Sequence, residues 1–245
     1  MSSRSVRGTT RIRAAIVSIV VASPLMFVGS LSAAAAPRGL EPVMCFGRGA
    51  TIVGTTGSDQ FPDAVFGTTA SDVIHALAGD DNVYAVALGA DPNQEVGDDF
   101  VCAGPGHDDP VDGGGGDDHI AGGTGSDSLF GHEGNDTILG GYGNDEIESH
   151  AGRDVADGGP GRDELCASKG PDVIRGADGN DTIGACGDPS TGLDRYFGGP
   201  GDDVIYSTDA PAQTSADVVN GGSGNDTCVI DPEDTATNCE TVEVV

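Results

Sequence analysis

Residues 122–148 read GGTGSDSLFGHEGNDTILGGYGNDEIE, which is one nine-residue phrase repeated three times. Glycine occupies the first and fourth positions of each unit, aspartate the sixth, and a branched aliphatic residue the eighth. The phrase continues over eight units from Gly113 to Gly184, and all eight keep glycine at the fourth position and aspartate at the sixth. A period this regular indicates stacked repeats, so it decides the fold before any single segment does.

More irregular copies flank this block. Degenerate units run from Gly67, and units restart at Gly198 and Gly221 after insertions at 185–197 and 207–220, which we interpret as loops on the repeating scaffold. We therefore divide the chain into six parts. They are a signal peptide (1–36), an N-terminal cap (37–66), degenerate repeats (67–112), regular repeats (113–184), interrupted repeats with loop insertions (185–229) and a C-terminal cap (230–245).

Each unit divides into six turn-forming residues and three extended ones. Glycine permits positive φ and close backbone approach in the turn, and alternation along the extended residues directs only the eighth side chain inward. Two units complete one coil of 18 residues, which stacks the coils at about 4.8 Å and joins the aliphatic residues into a narrow core. The sequence predicts an all-β fold: a right-handed parallel β-helix or β-roll of nine-residue repeats, with irregular loops and disulfide-capped ends.

Stacking brings the sixth-position aspartates into two columns, one with Asp127, Asp145, Asp163 and Asp181 and the other with Asp118, Asp136, Asp154 and Asp172. Carboxylates at this spacing repel unless a cation lies between successive turns. A hard dication with six or more oxygen ligands is calcium rather than zinc or copper. A metal-free glycine-rich coil is the alternative. We predict several bound Ca²⁺ ions with these metal ligands: Asp72, Asp81, Asp99, Asp118, Asp127, Asp136, Asp145, Asp154, Asp163, Asp172, Asp181, Asp203 and Asp226.

These units resemble the hemolysin-type calcium-binding nonapeptide repeats, G-G-x-G-x-D-x-U-x, known as RTX repeats. The resemblance is good over 113–184, 198–206 and 221–229, and partial over 54–111. It implies a parallel β-roll with calcium between stacked turns, held by sixth-position aspartates and backbone carbonyls. We do not infer the one-step export route that is common in the family and uses a C-terminal signal, because the sequence predicts an N-terminal signal instead.

The two columns are unequal. Units that start at 122, 140, 158 and 176 keep glycine at the first position. In the units that start at 113, 131, 149 and 167, the first two residues are GG, GH, SH and AS, respectively. We hypothesise that the first set binds calcium more tightly, because its turns keep the required backbone freedom.

The composition argues against a conventional core and against nucleic acid as a partner. The chain has 245 residues with 41 glycines, 4% aromatic residues and no tryptophan. Without residues 1–36 it has seven basic and 40 acidic residues, a net charge of −33. Nucleic acid would be repelled, and the charge favours an expanded chain unless metal ions or a polycation neutralise it.

The first 36 residues carry four arginines, then an apolar run from Ala14 to Leu31 and the small-residue string SAAAAP. This pattern predicts a secretory signal cleaved near Ala35 or Ala36. A retained anchor helix is the alternative, weakened by Pro24 and Gly29. We predict a secreted, extracellular bacterial protein, free or associated with the cell surface, with no membrane span after signal removal.

All six cysteines follow the signal, and an even number in an exported chain predicts disulfides. The spacings suggest Cys228 with Cys239, Cys166 with Cys186 and Cys45 with Cys102, although six cysteines permit 15 pairings. Zinc is the alternative, but no C-x-x-C pair is present.

We find no catalytic signature and predict neither catalytic residues nor an organic cofactor. HEGND at 132–136 departs from the zinc-protease motif because Asp136 replaces the second histidine. His132 and His150 should stack, either as solvated turn residues or as a small transition-metal site. The predicted function is a non-enzymatic extracellular calcium-binding β-roll whose folding is coupled to calcium. The alternatives are an extracellular hydrolase that carries such repeats, or an adhesin that binds a cell-surface or matrix partner through 185–197 and 207–220.

Overall fold

Side chains of the repeat alternate between the interior and the surface, starting from the sixth position. In the unit that begins at Gly122, Asp127 and Leu129 are buried, whereas Ser128 and Phe130 are half-buried. An extended chain alternates in this way, so the first, sixth and eighth positions line the interior. The expectation that only the eighth side chain faces inward is therefore wrong, because the alternation begins two residues earlier, at the aspartate.

A computed structural model describes residues 44–60, 64–87, 97–184, 192–208 and 215–245. All of these residues belong to one unit, Glu41–Val245. The predicted signal peptide, 1–36, lies outside the described residues. No helix long and apolar enough to cross a membrane is found in the part of the chain that the structure describes.

The chain alternates between two parallel ten-stranded sheets. The odd sheet consists of β3(Ile52–Val53), β5(Val73–His75), β7(Phe100–Pro105), β9(His119–Thr124), β11(Thr137–Tyr142), β13(Val155–Asp157), β15(Val173–Arg175), β17(Arg195–Pro200), β19(Val218–Ser223) and β21(Thr235–Thr237). The even sheet consists of β4(Val65–Phe66), β6(Val83–Tyr84), β8(Val111–Asp112), β10(Ser128–Phe130), β12(Glu146–Glu148), β14(Glu164–Cys166), β16(Thr182–Ile183), β18(Val204–Ser207), β20(Thr227–Ile230) and β22(Thr241–Val244).

Each coil adds one strand to each sheet. Ile138 of β11 pairs with Ile120 of β9, and Ile147 of β12 pairs with Leu129 of β10. Equivalent repeat positions therefore stack directly, with 18 residues between neighbouring aspartates of a column in the regular block. The predicted all-β parallel roll is confirmed.

The eighth-position residues form the continuous core that the repeat predicts. Ile120, Leu129, Ile138 and Ile147 have no exposed surface. Tyr196 fills the same position in β17 and is 1% exposed. Each unit contributes one eighth-position side chain to this core, so its burial depends on the stacking of coils.

The insertions contain more of the roll than the sequence analysis assigned to them. Within 185–197, Asp194 and Tyr196 take the sixth and eighth positions ahead of the restart at Gly198. Within 207–220, Asp217 and Val219 do the same. The insertions are therefore not loops throughout, because their last residues form the first part of β17 and of β19.

One extra residue interrupts the spacing between Asp108 and Gly113. Val111 is the buried residue that pairs with Leu129, and Asp112 pairs with Phe130. The extra residue therefore lies between Asp108 and Val111, a stretch that contains the cis Asp109–Pro110 bond.

Disulfides close both ends of the roll. Cys45 is bonded to Cys102 and Cys228 to Cys239, as the spacings suggested. Cys166 is disulfide-bonded as well, and its suggested partner, Cys186, lies outside the described residues.

The bond at Cys45 attaches an antiparallel hairpin, β1(Met44–Cys45) with β2(Arg48–Gly49), to the outer surface of the odd sheet. Phe46 lies edge-on to Phe100 at 6.0 Å between ring centroids. The guanidinium carbon of Arg48 lies 3.8 Å from the centroid of the Phe100 ring. The hairpin is thus held by one covalent bond and by aromatic contacts.

Candidate metal centre

Two columns of acidic side chains run the length of the roll, one in the turns that precede each sheet. The odd column, which leads into the odd sheet, contains Asp72, Asp99, Asp118, Asp136, Asp154, Asp172, Asp194, Asp217 and Asp234. The even column, which leads into the even sheet, contains Asp59, Asp81, Asp108, Asp127, Asp145, Asp163, Asp181, Asp203, Asp226 and Glu240. The structure therefore brings all thirteen sequence-predicted aspartates into these two columns.

Six further members of the columns were not predicted from the sequence: Asp59, Asp108, Asp194, Asp217, Asp234 and Glu240. Asp108 is the sixth residue of AGPGHDDPV, so counting positions could have found it. Asp194 lies two residues after Gly192 and two before Tyr196, which is the spacing of the second half of a unit. A search for half-units would have found that residue as well.

From Asp81 and Asp99 onward, each column carboxylate accepts a hydrogen bond from the backbone of the preceding coil. The N–H of Asp127 donates to Oδ1 of Asp145 at 2.9 Å, and the N–H of Asp145 donates to Oδ1 of Asp163 at 2.9 Å. The odd column repeats the link, for example from the N–H of Asp136 to Oδ1 of Asp154 at 2.9 Å. A buried N–H must find an acceptor, so the aspartates satisfy the backbone of the turns.

The second carboxylate oxygen has no such partner through most of both columns. Oδ2 is buried and accepts no hydrogen bond in the aspartates 81, 108, 118, 127, 136, 145, 154, 163, 172, 181, 203 and 226. Burial of a charged oxygen without a donor is costly, and a column of them is costlier because like charges repel. These oxygens require either protons or a cation.

The unpartnered oxygen faces a small space beside the first glycine of its own turn. A Cβ added at Gly140 would lie 2.6 Å from Oδ2 of Asp145 and 2.5 Å from the carbonyl oxygen of Gly158 in the next coil. Carboxylate and carbonyl oxygens that face one point are the ligands that calcium prefers. Two oxygens converge in the same way beside Gly122, Gly131, Gly176, Gly198 and Gly221. These residues fit a calcium ion.

The odd column keeps this space open less often. Its first positions are Gly113 and Gly131, but then Ser149 and Ala167. A Cβ occupies that position in the turns of Asp154 and Asp172, where the turns of Asp145 and Asp163 have none. The structure thus gives a steric reason for the predicted inequality of the columns, in addition to backbone freedom.

Burial raises the pKa of aspartates in the central turns of both columns. Desolvation, with repulsion from Asp136 and Asp99, raises the pKa of Asp118 to about 9. The same cause raises the pKa of Asp172 to about 8 and that of Asp127 to about 7. The hydrogen bond from the preceding turn lowers each pKa but does not overcome desolvation. Without a cation, part of each column is therefore protonated near neutral pH.

Side chains alone do not build a metal site here. Within the described residues, no three His, Cys, Asp or Glu side chains form a group that could hold a metal ion. Each turn offers one carboxylate, so the remaining ligands of a calcium ion would be backbone carbonyl oxygens, as the resemblance implies.

The histidines of the odd column stack as predicted. The His132 and His150 rings are 4.9 Å apart and 10° from parallel. Nε2 of His132 lies 3.2 Å from Oδ1 of Asp112, and Nε2 of His150 lies 3.5 Å from Oε2 of Glu148. Each ring thus faces its own carboxylate, which favours the interpretation as turn residues over a shared metal site.

Comparison with known families matches the RTX calcium-binding nonapeptide repeat (4 copies) at residues 59–86, 112–147, 130–165, 139–174, 157–185, 190–209 and 212–229. No curated protein matches the chain. The family match covers more than half of the chain and includes the interrupted region where Asp194 and Asp217 join the odd column. The chain belongs to the RTX calcium-binding nonapeptide repeat family.

Proposed function

We propose that this protein is an extracellular, non-enzymatic calcium-binding β-roll whose folding is coupled to calcium. The observation that carries the proposal is the run of buried carboxylate oxygens without hydrogen-bond donors, each beside the first residue of its own turn. Bound calcium would supply the positive charge that lets these carboxylates stay ionised inside the roll. The aspartate Oδ2 atoms and first-position carbonyl oxygens would hold it.

Coupling to folding follows from the size of the core. Each nine-residue unit buries one aliphatic side chain beside one carboxylate, so apolar burial alone offsets little of the conformational entropy lost on folding. Because the site is shared between successive coils, it does not exist in the unfolded chain, and the binding free energy contributes to folding. The expected affinity is that of extracellular modules, roughly 0.1–1 mM.

An extracellular location agrees with the disulfides Cys45–Cys102 and Cys228–Cys239, which persist in oxidising compartments. The N-terminal pattern of arginines and an apolar run supports the same proposal. The non-enzymatic role is supported by the motif search, and by the use of the buried acids as hydrogen-bond acceptors for the backbone.

The test is far-UV circular dichroism of the chain that starts after residue 36, in chelator and then with calcium or magnesium. We expect a disordered spectrum in chelator and a β spectrum with calcium, with magnesium less effective because it demands a rigid octahedral shell. A full β spectrum in excess chelator at about pH 8.5, at low ionic strength and with disulfides reduced, would falsify the proposal. A general hydrolase screen on the calcium-loaded protein tests the non-enzymatic role.

A further inference from the structure

The carboxylates of the first two turns, those of Asp59 and Asp72, differ from those in the middle of their columns. The N–H of Thr55 donates to Oδ2 of Asp59 at 2.6 Å, and its hydroxyl donates to Oδ1 at 2.7 Å. The N–H and the hydroxyl of Thr68 both donate to Oδ2 of Asp72 at 2.8 Å. The oxygen that lacks a donor in the central turns therefore has protein donors in both of these.

The second residue of the turn supplies these donors. In the central turns that the structure describes, except that of Ser168, the second residue has positive φ. The N–H of Gly141, at φ 112°, donates to the carbonyl of Gly158 in the next coil at 2.9 Å. Thr55 and Thr68 are not among the residues with positive φ, a conformation that is costly for a β-branched side chain. Their N–H groups turn instead towards the carboxylate of their own turn.

The space for a cation is otherwise the same. A Cβ added at Gly54 would lie 2.7 Å from Oδ2 of Asp59 and 2.5 Å from the carbonyl oxygen of Ala76 in the next coil. These are the two kinds of oxygen that converge beside Gly140. The first turn of the even column thus has the calcium-type pair of oxygens, and its threonine satisfies the carboxylate.

The last turn of the odd column is closed by protein donors as well. Oδ2 of Asp234 accepts the hydroxyl of Ser207 at 2.8 Å and the N–H of Asp231 at 3.0 Å. A hydroxyl residue without positive φ is not sufficient for this effect. Ser168 is such a residue at the second position of its turn, yet Oδ2 of Asp172 accepts no hydrogen bond. The backbone N–H must turn to the carboxylate too, as it does at Thr55 and Thr68.

We propose that the turns of Asp59, Asp72 and Asp234 are metal-free caps, and that Thr55 and Thr68 are the residues that exclude calcium from the N-terminal end. A cation there would have to displace two hydrogen bonds to a carboxylate that is already satisfied, and charge-assisted bonds of this kind are strong. Calcium is confined to the turns between the caps. This inference rests on the proposed function, because it assumes that Oδ2 binds calcium elsewhere.

The first experiment counts calcium ions per folded molecule by equilibrium dialysis, with circular dichroism in saturating calcium as the check of folding. The double variant Asp59→Asn/Asp72→Asn should bind as many ions as the wild type. The matched variant Asp127→Asn/Asp145→Asn should bind about two fewer, one for each turn that loses its carboxylate.

The second experiment looks for a gain. Thr55→Gly/Thr68→Gly frees Oδ2 of Asp59 and Asp72 and restores glycine at the second position, so it should bind about two ions more than the wild type. The control is Thr56→Gly/Thr69→Gly, the same change at the adjacent exposed residues of the same turns, which should leave the number of ions unchanged.

Loss of ions in Asp59→Asn/Asp72→Asn would overturn the proposal, and so would an unchanged count in folded Thr55→Gly/Thr68→Gly. A wild-type protein that binds no calcium is a different outcome, because it would overturn the proposed function itself. The loss experiment leaves both threonines in place, so the proposal stays falsifiable even if the glycine variant does not fold.

Discussion

The N–H of Asp127 donates to Oδ1 of Asp145 at 2.9 Å, while Oδ2 of Asp145 faces the carbonyl of Gly158 beside Gly140. One oxygen of each carboxylate thus satisfies the backbone and the other remains for a cation. The same side chain fixes the spacing of neighbouring coils and provides the charge of the site.

The two columns should respond differently to the loss of one charge. Asp145→Asn keeps an oxygen for the N–H of Asp127 but removes the negative charge, so we expect about one bound calcium fewer per molecule. Asp154→Asn should lose less, because the Cβ of Ser149 already occupies the corresponding space. Equilibrium dialysis against calcium measures the number of ions that each variant binds. Asp178→Asn, at an exposed third position, is the control, and equal losses at Asp145 and Asp154 would contradict the difference between the columns.

The metal-free protein should be more stable in acid than in base. Burial raises the pKa of Asp118 to about 9, of Asp172 to about 8, and of Asp136 and Asp163 to about 7, against about 3.9 in an unfolded chain. The folded state therefore binds more protons, so its stability is greatest below about pH 4 and is lost as the pH rises from there to about 9.

Circular dichroism in chelator should accordingly show more β structure at pH 5 than at pH 8.5. With saturating calcium the order should reverse or vanish, since the ion needs ionised carboxylates. A chelated protein that gains structure as the pH rises would contradict the buried, uncompensated state of these aspartates. Sodium chloride titration at each pH is the control for general charge screening.

Calcium binding at pH 5, where the metal-free fold is favoured, should release protons. At that pH the aspartates with pKa raised to about 7 or above, among them Asp118 and Asp127, are protonated in the metal-free fold and ionised in the complex. Calorimetric titration in two buffers of different ionisation enthalpy measures the number released. The number should fall towards zero at pH 10, and a value independent of pH would show that these aspartates do not hold the metal.

Alanine substitutions at two glycines of one turn should have different effects, one on calcium binding and the other on stability. A Cβ at Gly140 would enter the space between Oδ2 of Asp145 and the carbonyl of Gly158. Gly140→Ala should therefore lower calcium binding by about one ion. It should destabilise the calcium-saturated fold only modestly, through the shift of the Gly158 carbonyl that the methyl group requires. Ala167 shows that the roll accepts alanine at the first position of a turn.

The contrasting change is Gly143→Ala in the same turn. Gly143 has φ 135°, and a Cβ there would lie 1.5 Å from the carbonyl oxygen of Gly125. We expect this variant to be destabilised at every calcium concentration, by more than the roughly 1–3 kcal/mol that backbone strain alone costs. Urea unfolding in saturating calcium separates the two, and equal stability of both variants would contradict these roles.

The hairpin should detach when its disulfide is removed. Cys45→Ser/Cys102→Ser leaves the hairpin held by non-covalent contacts, among them those of Phe46 with Phe100 and His119 and that of Arg48 with Phe100. Trypsin should therefore cut after Arg48 roughly ten times faster or more, since an exposed backbone is needed for cleavage. Calcium binding and the β spectrum should persist. Cys228→Ser/Cys239→Ser is the matched control at the other end, where the rate of cutting after Arg48 should not change.

The regular block could be predicted from sequence because its spacing never varies. Glycine and aspartate at fixed positions define the coil length, which places Asp127 beside Asp145 without any knowledge of side-chain contacts. The burial of these aspartates could not be predicted in the same way, because a charged residue next to a turn is usually solvated. Only the hydrogen bond from the preceding coil explains why it lies inside.

The parts of the roll outside the regular block were harder to predict from the sequence. Asp194 and Tyr196 complete a coil, but the residues before them do not match the repeat, so the pattern search assigned them to an insertion. The role of Thr55 depends on which way its N–H points, a property of the backbone that a residue pattern does not contain. The contact of the hairpin with Phe100 joins residues far apart in the chain, and no local signal indicates it.

Neighbouring aspartates of a column are separated by 18 residues in the regular block, yet by 27 between Asp81 and Asp108, by 22 between Asp172 and Asp194, and by 23 between Asp203 and Asp226. The hydrogen bond from the N–H of the first aspartate to the carboxylate of the second is 2.8–3.0 Å long in the pairs Asp127–Asp145, Asp81–Asp108, Asp172–Asp194 and Asp203–Asp226. Extra chain can therefore enter at a bend and leave the inner scaffold unchanged. Such bends are natural places to graft a foreign peptide for display, and points where relatives of this protein can diverge in length without a new fold.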